Sequence, residues 1–275
     1  MQIGKIGFIG AGNMASAIIG GLVASGCKAE DIWVSDVDDA KLQALEQLHG
    51  LHAVGDNAQL VDKVDVLVLS VKPQMMKAVL QPLAERVQQR KPLVISVAAG
   101  LATADLERWL GGQVAMVRTM PNTPALVRSG ATALFANPRV SERQHEIAES
   151  IMRATGLALW VEQESQLDAV TALSGSGPAY FFLLIESMQK AGEQLGLAAE
   201  TARLLAVQTA FGAAKLALEV EDSAEQLRAK VTSPGGTTEQ AIKVFMERGM
   251  PQMVAEAMTA ADQRAQELAK QLGAD

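Results

Sequence analysis

The sequence predicts a doubly wound α/β sheet followed by an all-helical domain, and three observations carry that expectation. Up to about residue 160, short apolar runs rich in β-branched residues alternate with helical patterns, the order of strand–helix–strand units. From Glu164 onward the strand signal gives way to helical periodicity. The 275 residues, 49% hydrophobic and 20% charged, are enough for two domains, each with its own core. The division is expected as 1–163 and 164–275.

The runs "KIGFIG", "DIWVSD", "DVLVLSV", "PLVISVAAG" and "VAMVRTM" are nearly continuous in apolar residues, as parallel strands are when helices cover both faces of a sheet. Between them, "DAKLQALEQLHG" sets Leu42, Leu45 and Leu48 along one helix face, and "PQMMKAVLQPLAERV" reads as helix. "ATALFAN" and "ALWV" end the strand-bearing part. Beyond them "PAYFFLLIESMQKAGEQLG", "AAETARLLAVQTAFGAAKLALEV", "TTEQAIKVFMERG" and "PQMVAEAMTAADQRAQELAKQLG" are helical. Between Ala202 and Leu218 only Arg203 and Lys215 are charged. A helix apolar nearly all round is buried nearly all round. A second copy of the chain is the expected cover, with a central helix buried by its own neighbours as the alternative.

The formal net charge is -7 and no Lys/Arg cluster stands out, which argues against nucleic acid as the main partner. The single cysteine, Cys27, forms no internal disulfide, fits a reducing compartment, and reads as a small buried hydrophobe. Residues 6–27 carry no charge and follow Lys5, the outline of a signal peptide or membrane span. Gly7, Gly10, Gly12, Gly20, Gly21 and Gly26 break that outline, whereas a strand, a tight turn and a helix use them. A cytoplasmic protein without membrane contact is expected. His49, His52 and His145 have no cysteine or third ligand at metal-site spacing, so no metal is expected. "SGSGP" lacks both the G-x-S-x-G form and a histidine partner for a serine nucleophile.

"GFIGAGNMA" follows a strand and opens a helix, placing Gly10, Gly12 and Ala15 in the G-x-G-x-x-G/A pattern. Gly10 serves the tight turn, Gly12 the close approach of a pyrophosphate, and Ala15 the helix–strand packing, while the helix N-terminus offers free N–H groups. Asp36 ends the second strand about 20 residues beyond Ala15, the spacing of an acid that binds a ribose hydroxyl. Its charge repels a 2′-phosphate and tilts the choice towards NADH, with Ser35 able to help hold either cofactor; capping the next helix is the alternative for Asp36. These are the marks of a Rossmann-type dinucleotide site. "SVKP" and "SVAAG" end strands at the same crevice, where Lys72 is either a cofactor-edge residue or a solvated lysine.

The stretch "VTSPGGTTEQA" interrupts the helical part with one uncharged turn. Thr237 and Gln240 match a capping box, so a helix is expected to start at Thr237 or Thr238. Gly235 and Gly236 let backbone N–H groups turn inward as an anion-binding nest, with threonine hydroxyls left for other polar atoms. "LSGSGPAYFFLL" joins a flexible turn to Pro178, suited to the first turn of a helix.

With "GFIGAGNM", "SVKPQ", "SVAAG", "MPNTPALV", "DAVTALSGSGPAY" and "VTSPGGTTEQAI" in that order, the whole chain closely resembles the pyrroline-5-carboxylate reductase family. The resemblance implies a Rossmann domain followed by an all-α dimerisation domain, homodimers that often assemble as pentamers of dimers, and reduction of 1-pyrroline-5-carboxylate to L-proline by NADPH or NADH. It implies cofactor contacts at Ile9, Gly10, Ala11, Gly12, Asn13, Met14, Ser35, Asp36, Asn57, Ser70, Val71, Lys72, Pro73, Ala98 and Ala99. Substrate, a cyclic imino acid, would meet Glu164, Ser176, Ser233, Gly235, Gly236, Thr237 and Thr238, the later ones from the dimer partner. Thr238 is the candidate catalytic hydroxyl. A β-hydroxyacid dehydrogenase shares the plan but needs a lysine as acid/base, for which Lys190, Lys215 and Lys230 are available.

Overall fold

The computed structural model describes residues 3–273, which divide into two compact units. One consists of the chain up to Gly175 together with the stretch from Ala261; the other is Ser176–Ala260.

In the first unit, strands β1 (Ile6–Ile9), β2 (Ile32–Ser35), β3 (His52–Val54), β4 (Val66–Leu69), β5 (Leu93–Ser96), β6 (Met116–Met120), β7 (Gly130–Ala136) and β8 (Gly156–Trp160) form one sheet. Its order is β3-β2-β1-β4-β5-β6-β7-β8. Helices α1 (Asn13–Ala24), α2 (Asp39–His49), α3 (Asn57–Val61), α4 (Met76–Leu80), α5 (Ala84–Arg90), α6 (Thr103–Trp109), α7 (Glu142–Arg153) and α8 (Gln166–Val170) belong to the same unit. Strand alternation splits the core between the two faces. Ile6, Phe8, Val34, Val68 and Ile95 pack with Ile18, Ile19 and Leu22 of α1 and Ile151 of α7. Leu67, Leu69, Val94 and Met116 pack with Leu60, Met76, Leu80, Val87 and Leu106. Each such side chain, fully buried, contributes about 1.5–3 kcal/mol. The uncharged stretch 6–27 is thus a strand, a turn and a helix, as its glycines imply.

Three details depart from the sequence pattern. β3 is only three residues long, and its exposed His52 stacks on Trp33 with ring centroids 4.2 Å apart, so it offers no apolar run to read. His52 therefore lies on a strand. β6 and β7 pair antiparallel, because a short turn over Thr123–Val127 joins them where a parallel pair needs a crossover helix. "PQMMKAVLQPLAERV" is broken into short pieces, with 3-10 turns at Pro73–Met75 and Gln81–Leu83, since Pro82 cannot donate within a continuous helix.

The second unit holds α9 (Gly177–Gln194), α10 (Ala199–Glu219), α11 (Ala224–Lys230) and α12 (Thr237–Glu247). The unit boundary at 260/261 falls inside α13 (Met250–Gly273). In α10 only Ala202 and Ala206 are buried. Leu204, Leu205, Phe211, Leu216 and Leu218 are exposed, as are Phe181, Phe182 and Leu183 of α9. This largely apolar helix is therefore not covered by its own neighbours in the unit, and the alternative of a self-buried central helix falls. α12 starts at Thr237 as expected, but no capping box forms: Gly236 is the N-cap and no side chain caps the helix.

Candidate functional site

The strand order reverses direction between β1 and β4, which lie side by side in parallel. Ligands of open α/β sheets bind at the carboxyl ends of strands at such a switch point. Here the chain leaves β1 through Gly10, whose φ of +103 lies in the left-handed region. The Gly10 N–H donates to the Ser35 carbonyl at 2.7 Å, and the Ser70 hydroxyl donates to the carbonyls of Ile9 at 2.9 Å and Gly10 at 2.8 Å. The turn is thereby tied to the ends of both neighbouring strands.

Gly12 is the N-cap of α1, with no side-chain cap and no acid in the first turn. A Cβ there would meet nothing within 4 Å. The first-turn amides of Asn13, Met14 and Ala15 have no side-chain cap, and the positive end of the helix dipole stands behind them. A dinucleotide pyrophosphate fits this cradle. The Asp36 carboxylate accepts from the Ala11 N–H at 2.6 Å and from the Asp38 N–H at 2.9 Å. Asp36 is therefore not a helix cap; Asp38 caps α2, accepting from the N–H groups of Ala40 and Lys41. The Ser35 hydroxyl donates to Asn57 Oδ1 at 2.7 Å, joining β2 to the start of α3. Ser70, Val71, Lys72 and Pro73 follow β4, with Lys72 exposed; Ala98, buried, and Ala99, exposed, follow β5. All the residues expected at the cofactor thus lie on, or directly after, the carboxyl ends of β1, β2, β4 and β5 and at the starts of α1 and α3.

The residues expected at the substrate fall in both units: Glu164 in the first, Ser176 and residues 233–238 in the second. Both Glu164 oxygens are engaged. One accepts from the Thr103 N–H at 2.7 Å and from Arg118 at 3.1 Å, the other from the Thr103 hydroxyl at 2.8 Å. Arg118, 5% exposed, also lies 3.7 Å from Asp168. Burial pushes the Asp168 carboxyl above its ordinary value; Arg118 opposes this, and Asp262 and Glu164 add to it. Sequence reasoning passed over Arg118, although a lone charge in the apolar run "VAMVRTM" was the available signal. Arg118→Met is expected to lower unfolding free energy by about 3–5 kcal/mol, because two carboxylates lose their buried cation; denaturant titration reads this out.

In the turn before α12, Gly235 adopts φ +73 and its N–H donates to the Glu239 carboxylate at 2.8 Å. The Gly236 N–H donates to the Ser233 carbonyl at 3.0 Å. The glycine amides are thus spent on closing the turn and not on a nest for a ligand. The uncapped donors are the first-turn amides of α12, those of Thr237, Thr238 and Glu239. A Cβ on Gly236 would stand 3.0 Å from the Ser233 carbonyl oxygen, so the glycine serves the tightness of the turn. The Thr238 hydroxyl makes no hydrogen bond among the described residues and is half-buried. Lys190, Lys215 and Lys230 each pair with a neighbouring carboxylate, of Glu186, Glu219 and Asp222, on the exposed surface, which leaves a dehydrogenase lysine without support. Among the described residues no group of three His, Cys, Asp or Glu could hold a metal.

A glycine turn at the switch point of a Rossmann sheet, an uncapped cradle for diphosphate and an acid at the second strand define a dinucleotide-dependent oxidoreductase. Residues 164–268 match the family model described as pyrroline-5-carboxylate reductase dimerisation, and residues 5–100 match that described as NADP oxidoreductase coenzyme F420-dependent. Pyrroline-5-carboxylate reductase of Pseudomonas aeruginosa is 52% identical over 99% of this chain and 100% of its own length. That of Vibrio alginolyticus is 44% identical over 98% of this chain and 99% of its own length. Among solved structures, the reductase of Coxiella burnetii superposes with a TM-score of 0.94 at 50% identity, over 98% of this chain and 99% of that one. The Plasmodium falciparum pyrroline carboxylate reductase, solved with NADP bound, has a TM-score of 0.86 at 28% identity, over 98% of this chain and 99% of that one. The chain belongs to the pyrroline-5-carboxylate reductase family.

Proposed function

We propose that this chain reduces 1-pyrroline-5-carboxylate to L-proline with NADPH or NADH, the last step of proline biosynthesis. The observation that carries the reading is the uncapped Gly12 cradle at the switch point, in a chain related end to end to reductases of that name. The reduced nicotinamide supplies the hydride that the C=N carbon of the substrate accepts. The protein binds and orients. The amides of Asn13 to Ala15 hold the diphosphate, Asp36 with Ser35 and Asn57 the adenosine ribose, and the strand ends at Ser70–Pro73 and Ala98–Ala99 the rest of the dinucleotide. The first-turn amides of α12 hold the substrate carboxylate, with Ser233, Gly235 and Gly236 shaping the turn. The Thr238 hydroxyl hydrogen-bonds the ring nitrogen, keeping its proton in place as the C=N bond is reduced. Ser176 contributes a second hydroxyl. Glu164, its oxygens engaged by Thr103 and Arg118, anchors the start of α8.

Mixing the protein with 1-pyrroline-5-carboxylate and each reduced cofactor in turn tests this reading. Nicotinamide oxidation matched by L-proline formation is expected; no oxidation of either cofactor would overturn it. An acid at the end of the second strand repels a 2′-phosphate, so the charge of Asp36 tilts the choice towards NADH. Asp36→Ser is expected to narrow the NADH:NADPH ratio of kcat/KM by about tenfold, the scale of one like-charge contact near a surface. An unchanged ratio would remove that role.

The exposed apolar faces of α9 and α10 are covered by a second copy, giving a homodimer that assembles further into a decamer. Gln166–Gln194 is long and apolar enough to cross a membrane by length and composition. The dimerisation family model covers this stretch, and a partner's helices account for its apolar faces. The protein is placed in the cytoplasm, with no nucleic-acid or membrane partner. The functional division lies at 163/164, close to the start of that family match.

A further inference from the structure

The segment from Gln166 to Gln194 is one long helical run with a defect in it: a π-turn over Thr171–Gly175, between α8 and α9. Such a turn often marks a functional site, and here its cause can be read from the chain. In a continuous helix the Ser174 carbonyl would accept from the N–H of residue 178. That residue is Pro178, which has no N–H and whose ring crowds the carbonyl four residues back. The helix widens, and the Ser174 carbonyl loses its partner. Asn122 supplies the missing donor: its Nδ2 donates to the Ser174 carbonyl at 3.0 Å. The same side chain is fixed from the other end, because its Oδ1 accepts from the Ala131 N–H at 2.9 Å at the start of β7. Both partners of Asn122 are backbone groups, so the amide forms a rigid two-point bracket. The bed on which the π-turn rests is close-fitting as well, since a Cβ on Gly175 would run into the Met120 side chain.

We propose that Asn122, in the "MPNTP" turn, is a positioning residue for substrate binding. By replacing the hydrogen bond that Pro178 cannot give, it holds the π-turn in the one conformation that presents the Ser176 hydroxyl two residues on. This rests on the reading above that Ser176 meets the substrate. Both hydrogen bonds of Asn122 go to backbone of the π-turn and of β7, and none to the dinucleotide turn, so the effect is expected on the substrate side.

Asn122→Asp tests this with little change in volume. It keeps the acceptor for the Ala131 N–H and turns the donor into a second acceptor facing the Ser174 carbonyl. The substrate KM is expected to rise about tenfold, as when one hydrogen bond of fixed geometry is lost, while the dissociation constant for the reduced cofactor stays as in the wild type. KM does not depend on the fraction of enzyme that is active, so partial loss of folding leaves the readout valid. Asn122→Ser, too short to span both partners, is a second variant with the same expectation. A lower melting temperature with an unchanged substrate KM in both variants would make Asn122 merely structural and overturn the proposal. Ser176→Ala separates the two levels: if it raises the substrate KM while the Asn122 variants do not, the positioning role alone falls. If it too leaves KM unchanged, the placement of substrate at Ser176 falls with it.

Discussion

Gly10→Ala is expected to cost about 3 kcal/mol of unfolding free energy and to raise the dissociation constant for the reduced cofactor about tenfold or more. Two effects add at this position. Its φ of +103 is unfavourable for any residue with a side chain, and the new Cβ would stand 2.7 Å from the Ser70 carbonyl oxygen and 2.8 Å from its carbon. Both atoms are backbone, at the end of the neighbouring strand β4, so no side chain can turn aside to make room. The strand ends must part or the turn must tilt, and either moves the amides of Asn13 to Ala15 away from a diphosphate. Gly156→Ala is the control. That glycine, at φ +142, faces the backbone of Gly130 between β7 and β8, strands other than those that carry the glycine turn. It is expected to lose stability without a change in cofactor affinity. A Gly10→Ala enzyme of unchanged cofactor affinity would separate the glycine turn from dinucleotide binding.

Thr238→Ala is expected to lower kcat about a hundredfold, within the range for removal of a group that manages a proton in the transition state, while the cofactor KM stays unchanged. Initial rates at saturating substrate, with the cofactor varied, give both numbers. Thr238 is the second residue of α12, beside the uncapped amides, and its hydroxyl makes no hydrogen bond among the described residues. A side chain with a structural task would be bonded within the turn. Thr232, a few residues before, shows that case, with its hydroxyl donating to the Arg228 carbonyl at 2.6 Å. Thr238→Ser, which keeps the hydroxyl, is expected to retain most of the turnover. An unchanged kcat in Thr238→Ala would take the proton-handling role from this residue.

Much of the fold was legible because buried parallel strands must be apolar on both faces, and "VLVL" or "LVIS" can hardly be read otherwise. β3 escaped for the opposite reason: an edge strand of three residues, with His52 exposed, satisfies its backbone on one side only and needs no apolar run. The glycine turn was legible down to single residues, since positive φ, an open cradle and a strand end each demand a particular residue type. The turn at 233–238 was legible as a place but not in its hydrogen bonds. Thr237 carries the sequence of a cap, yet the Gly236 N–H to Ser233 carbonyl bond moves the cap one residue earlier and uses the amide assigned to the ligand. Arg118 and Asn122 act on partners 46 to 52 residues away, Glu164 and the Ser174 carbonyl, and no local pattern announces contacts of that range.

A crystal structure of the assembled enzyme with reduced cofactor and L-proline, the reaction product, would test the substrate turn most directly. The proline carboxylate is expected on the amides of Thr237, Thr238 and Glu239, with the ring nitrogen within hydrogen-bond reach of the Thr238 hydroxyl and beside the nicotinamide. Proline bound next to the nicotinamide by other residues, with 233–238 facing solvent in every subunit, would contradict it.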